Sequence, residues 1–110
     1  MEKFAWVNLL YDFYGQLLTG HQRKFVELYY GQDLSLGEIA GHCQLSRQAV
    51  HDVLKRAEGA LFKYEEKLGL VNRFLEQRKK LQQAVDLLAG EQGETVSRAR
   101  KIITEAIELF

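Results

Sequence analysis

The stretch SLGEIAGHCQLSRQAVHDVLKR, residues 35–56, decides the fold. Ser35 with Glu38 three residues later is a capping box, so a helix starts here and ends near His42–Cys43. Ser46 is a second N-cap, and the apolar positions after it open another helix. Between them lies the turn Cys43-Gln44-Leu45. Two helices joined this tightly need a small residue where their backbones cross and apolar residues on both inner faces. Ala40 fits the crossing. Ile39, Cys43 and Leu45 fit the positions around the turn, and Val50 and Val53 the inner face of the second helix. Leu54 continues that face toward the preceding helices. The pattern predicts a helix-turn-helix. Glycine is commonest at the position of Gln44, because φ > 0 is easiest there, so a positive φ is predicted for Gln44.

With the inner face removed, the second helix presents Arg47, Gln48, His51, Asp52, Lys55 and Arg56. Arginine can grip guanine O6 and N7, and glutamine can grip adenine N6 and N7. Ser46 and the helix N-terminus can hold a phosphate, and Lys55 and Arg56 suit phosphates further along. The candidate nucleic-acid-binding residues are therefore Ser46, Arg47, Gln48, His51, Lys55 and Arg56. Asp52 would repel a phosphate backbone unless it pairs with Lys55 or Arg56 at helical spacing. The opposing reading is a three-helix module whose charged face is simply solvated.

Charge favours neither reading. Lys+Arg and Asp+Glu are both 15 in a chain of 110 residues. Residues 35–64 carry four basic and three acidic groups, residues 1–34 three and four, and residues 65–110 eight of each. No region has the electrostatic footprint of a tight non-specific nucleic-acid binder.

Upstream, a helix is predicted over about Glu2–Leu18. Phe4, Val7, Leu10, Tyr11, Tyr14, Leu17 and Leu18 form one apolar stripe, and Trp6, Leu9 and Phe13 a second beside it. Together they span roughly 220° of the wheel, against about 100° for an ordinary surface helix. The helix is either central to the core or part of a subunit interface. Thr19 with Gln22 is another capping box, opening a helix over about Gly20–Tyr30 that Gly31-Gln32-Asp33 stops. Of the tyrosine pair at its end, Tyr29 is expected in the core and Tyr30 partly exposed.

Downstream, Val50, Val53, Leu54, Ala57, Leu61, Tyr64 and Leu68 make one stripe running to Gly69, a C-terminal cap glycine. A fifth helix is predicted over about Val71–Leu88 and a sixth over Thr95–Phe110, with Ala89–Gly93 between them, pairing as an antiparallel hairpin. The expected class is all-α: a helix-turn-helix with a three-helix core, without a wing. Residues 1–70 form that domain with its N-terminal helix, and residues 71–110 form a C-terminal helical extension. The chain has no proline to break a helix. No run approaches the ~18 apolar residues of a membrane span, so no membrane insertion is expected.

Catalytic patterns are weak. His21, His42 and His51 lack metal-ligand spacing, Cys43 has no evident base partner, and no phosphate-loop glycine motif occurs. No enzyme and no cofactor are expected. The basic run Arg78-Lys79-Lys80, with Arg73 nearby and Glu76 within it, is expected to be a solvated face.

Residues 19–62 resemble region 4 of bacterial sigma factors, the part that reads the −35 promoter element. Closer is the YlxM family, in the segments LLYDFYGQLLT (9–19), LYYGQDLSLGEIA (28–40), SRQAVHDVLKR (46–56) and YEEKLGL (64–70). Beyond Leu70 no matching motif stands out. The resemblance implies a cytoplasmic bacterial protein with a sigma-region-4-like fold. It also implies a regulatory or accessory role in the signal recognition particle pathway, because the family's genes lie beside those of that pathway's GTPases. The expected partners are DNA, or the particle's protein or RNA, together with a second copy of the chain. The alternative is an interaction adaptor that keeps the helix-turn-helix without sequence-specific DNA binding.

Overall fold

A computed structural model describes residues 1–109. Its helices are α1 (Lys3–Tyr14), α2 (Gly20–Val26), α3 (Leu36–Cys43), α4 (Arg47–Leu68), α5 (Leu70–Leu88) and α6 (Glu94–Glu108). A 3₁₀ turn, Gly15–Leu17, follows α1, and a π-turn, Glu27–Gly31, extends α2. The described residues contain no strand, and the class is all-α as predicted. Phe110, assigned by periodicity to the last helix, lies outside the described residues.

Helix α4 is the hub, since α1, α2 and α3 all pack on it. Val50, Leu54, Ala57 and Leu61 are its buried line. Against them come Val7, Leu10 and Tyr14 of α1, Phe25 and Val26 of α2, and Ile39 and Ala40 of α3. The predicted caps are in place. Both capping boxes close, Thr19 with Gln22 and Ser35 with Glu38, and the Ser46 side chain accepts from the Ala49 amide at 3.0 Å. Gln44 takes φ 55° and ψ 44°, the left-handed geometry expected of it, and Gly69 ends α4 at φ 63°. The Leu45 amide then donates back to the Ala40 carbonyl at 3.0 Å, closing the end of α3.

Two departures from simple helical periodicity redirect side chains. At Gly15, α1 tightens beneath its own Tyr11 ring, where a Cβ would come within 2.8 Å of Tyr11 Cε2. The stripe loses register there, and Leu17 ends 55% exposed instead of buried. In the π-turn, the extra residue per turn rotates the side chains after it around the helix axis. Tyr30 is thereby buried at 7% exposure while Tyr29 is half-buried, the reverse of the expectation. Leu45 and Leu68, also expected on inner faces, are exposed as well.

The inner face of α4 also carries two carboxylates that the apolar stripe passed over, Glu58 and Glu65. Tyr30 donates its hydroxyl hydrogen bond to Glu58 Oε2 at 2.8 Å, and Tyr14 donates to Glu65 Oε1 at 2.6 Å. A third pair, Tyr11 to Glu27, ties α1 to the π-turn. Each buried carboxylate thus gains a strong donor, which offsets the penalty for removing it from water. Glu65 has a further task. Its Oε1 accepts from the Val71 amide at 3.0 Å, and the Tyr14 hydroxyl oxygen accepts from the Leu70 amide at 3.1 Å. Only Gly69 separates α4 from α5, so no local side chain caps α5. A carboxylate and a tyrosine from α4 and α1 do so instead, with the negative charge at the positive end of the helix dipole.

The chain divides into two compact units, one ending at Val71 and the other beginning at Asn72. In the second, Phe74 and Leu81 of α5 line a cavity of about 250 Å3 with Ala106 and Ile107 of α6. At the other end Arg100 donates to the Ala89 carbonyl at 3.2 Å, so the two helices run antiparallel. Among its described residues no side chain is fully buried.

Candidate nucleic-acid interface

The turn at Gln44 sets α4 against α3 so that the first turns of α4 face outward. Arg47, Gln48 and His51 come together around a shallow depression beside Leu36 of α3. Arg47 is exposed, and its stem passes Gly37 closely enough that a Cβ there would sit 3.9 Å from Arg47 Cδ. Ser46 spends its oxygen on the cap and keeps its hydroxyl proton for donation.

The other candidates are less available. Gln48 Nε2 donates to Asp52 Oδ1 at 2.9 Å, and His51 Nδ1 lies 3.6 Å from the same oxygen. The pairing with Lys55 or Arg56 that would have neutralised Asp52 is not made. The reason is one turn further on, where Lys55 is drawn toward the buried Glu58, at 3.9 Å from Oε1. Lys3 reaches the same oxygen at 3.0 Å. Its hydrogen bond and charge attraction to Glu58 raise the Lys3 pKa above the ordinary 10.5. Burial and then the Glu58 hydrogen bond push the Tyr30 hydroxyl far above its ordinary 10.0, so it remains a donor throughout the physiological range. Arg56 is exposed at the far end of the face. The six candidates therefore split. Arg47, Gln48 and His51 converge, Ser46 caps the helix they stand on, Lys55 turns toward Glu58 and Arg56 stands apart.

Sequence reading missed the group made by Lys3, Tyr30 and Glu58. One signal was present. Glu58 and Glu65 fall three or four residues from Leu54 and Leu61, on the buried line, and the neighbouring segments are rich in tyrosine. A buried tyrosine hydroxyl usually has a partner.

A model of the UPF0122 family, described as "Putative helix-turn-helix protein, YlxM / p13 like", matches residues 1–102. The chain belongs to the UPF0122 family. A UPF0122 protein of Desulforamulus reducens is 50% identical, the match covering 98% of this chain and 96% of that protein. UPF0122 proteins of Bacillus cereus and Bacillus anthracis are 46% identical over the same shares of each chain. The family likeness thus runs through α5 and most of α6, well past Leu70, where the recognisable motifs end. Among the described residues of this UPF0122 member, no helix is long and apolar enough to cross a membrane.

Proposed function

We propose that this chain is a non-enzymatic regulatory protein of the bacterial cytoplasm. It acts by binding, through the face that α4 presents, in connection with the signal recognition particle pathway. The observation that carries the reading is the convergence of Arg47, Gln48 and His51 on an open surface at the start of α4. Arginine and glutamine at the first turn of such a helix have the reach and hydrogen-bonding pattern to read base edges in a major groove.

One observation favours an adaptor that keeps the fold without reading DNA. Gln48 is engaged by Asp52 and Lys55 by Glu58, so the face offers fewer open polar groups than its composition suggests. Retention on three baits separates the two: duplex DNA of mixed sequence, the particle's RNA, and its protein GTPase. A DNA reader gives duplex retention that falls steeply between low and physiological salt. Arg47→Ala then relaxes base preference at a cost of about 1–3 kcal/mol, while Lys55→Ala weakens all sequences alike. An adaptor is retained by the GTPase whether or not Arg47 and Gln48 are intact.

The same reading includes a homodimer. Trp6 and Leu9 on α1 are only half-buried, and Ile102 on α6 is 64% exposed. Sedimentation equilibrium at micromolar concentration that finds only monomer removes the dimer. Two recognition helices of a DNA-reading dimer would have to lie about 34–36 Å apart.

A further inference from the structure

Beside the outer face of α4, and sharing His51 and Lys55 with it, the first unit holds a cavity of about 290 Å3 between α1, the π-turn, α3 and α4. It lies just below the roughly 300–1,000 Å3 typical of small-molecule sites, room for one compact ligand. Besides Leu36 and Leu54, its lining is of two kinds.

The first is cationic. Lys3 and Lys55 approach a single oxygen, Oε1 of Glu58, while the other oxygen of that carboxylate takes the Tyr30 hydroxyl. Two ammonium groups on one carboxylate leave a positive charge over. Asp52, on the same helix, accepts from Gln48 and does not line the cavity. His51 does line it, and its Nδ1 is shut off from water without a hydrogen-bond partner. Both lysine side chains are more than half exposed, so each can swing to an incoming anion. The second kind is aromatic. Phe4 sits with its centroid 4.7 Å from Tyr30 and 5.6 Å from Tyr29, and Tyr29 meets Tyr30 edge-on at 5.0 Å. Phe4 is nevertheless 37% exposed at the cavity, leaving ring surface uncovered.

A bare phosphate would use the cations and waste the rings, and an apolar ligand the reverse. We propose that this cavity is a nucleotide site. It takes one nucleoside monophosphate unit, the base against Phe4 and Tyr29 and the phosphate between Lys3 and Lys55. Stacking of a base on an aromatic ring is worth enough to raise affinity about tenfold or more over phosphate alone. The unit can come from a free nucleotide or from an unpaired nucleotide of a strand, since both offer the same base and phosphate. The site does not depend on α4 reading DNA. Arg47 lies outside the cavity, and base readout by Arg47 and Gln48 can fail with the cavity still occupied.

The test is a titration of the full-length, amide-labelled chain followed by NMR. The probes are adenosine monophosphate, adenosine, inorganic phosphate and a five-nucleotide oligoadenylate. Adenosine monophosphate is expected to shift the amides of Lys3, Phe4, Tyr29, Tyr30 and Lys55 saturably, with about tenfold or greater preference over phosphate or adenosine. Lys3→Met and Phe4→Leu, each checked for an unchanged fold by circular dichroism, should weaken it about fivefold or more, and Lys24→Ala on α2 should not. If the oligonucleotide binds the same amides much more tightly than the monophosphate, the source is a strand; equal or weaker binding makes it the free nucleotide. Three results overturn the site: no saturable shift with either nucleotide probe, phosphate binding as well as the monophosphate, or folded Lys3→Met and Phe4→Leu proteins that bind like the parent.

Discussion

Helices α4 and α6 are both amphipathic, with apolar side chains at three- and four-residue spacing, yet they stand at opposite ends of burial. Along α4, Val50, Leu54, Ala57 and Leu61 are closed off from solvent because three other helices converge on it. Along α6 no described side chain is buried, and Ile102 is mostly open. The difference is not in the helices. Periodicity makes a face, and only the number of neighbours brought to that face makes a core. In its own unit α6 has α5 alone to pack on.

The largest expected effect tests that contrast directly. Leu61→Ala, at a position with 0% exposure, should cost about 2–5 kcal/mol in denaturant unfolding. Ile102→Ala should fall within about 0.5 kcal/mol of the parent. A comparable loss at Ile102 would break the comparison. A loss at Ile102 that grows with protein concentration would sharpen it, because α6 would then find its missing neighbour in a second copy.

Next in size is the pair of adjacent tyrosines. Tyr30→Phe removes the donor to Glu58 Oε2 and leaves a buried carboxylate oxygen short of a partner, at a cost of about 1–3 kcal/mol. Tyr29→Phe should cost less than about 0.5 kcal/mol. Equal costs at the two positions would contradict the rotation that the π-turn imposes.

These two tyrosines also mark where the sequence stopped being legible. Three helix starts were readable, those of α2, α3 and α4, because their caps are written in adjacent residues: Thr19 with Gln22, Ser35 with Glu38, Ser46 alone. The left-handed turn at Gln44 was readable from the spacing of the inner faces around it. The inserted residue of the π-turn was not, since no local signature separates Glu27–Gly31 from ordinary helix, and a shift in phase exchanges the environments of Tyr29 and Tyr30. The carboxylates were hidden for another reason. Glu58 and Glu65 look like solvent-facing residues until their partners, 28 and 51 positions away, are placed. Of the candidate interface, the identities on the outer face were legible, while the capture of Lys55 by Glu58 is a tertiary event that helical wheels do not contain.

A smaller effect is expected at the turn itself. Gln44 holds φ 55° at the end of α3, where a side chain costs about 1–2 kcal/mol over the right-handed conformation and glycine does not. Gln44→Gly should raise the thermal midpoint, by the equivalent of about 0.5–1 kcal/mol once the greater freedom of unfolded glycine is deducted. Gln44→Val should lower it, because β-branching is least compatible with this region.

The smallest effect has its control built into the chain. Two capping boxes close in the same way, with hydrogen bonds of 3.0–3.1 Å, but one ends in Gln22 and the other in Glu38. The hydrogen bonds from the Ser35 backbone and side chain hold the Glu38 carboxyl below its ordinary 4.5. A carboxyl whose pKa is lowered by folding adds stability above its unfolded pKa and loses it as pH falls through the folded value. The start of α3 should therefore loosen below about pH 4.5, while the start of α2, closed by a group that does not titrate, should not. The Ser35 amide shift is expected to follow a titration with its midpoint under 4.5 while the Thr19 amide stays flat. Glu38→Gln should keep the box and abolish the titration at Ser35. If the Ser35 amide still moves in that variant, the titrating group is another acid, and the two caps differ for a reason other than their closing residue.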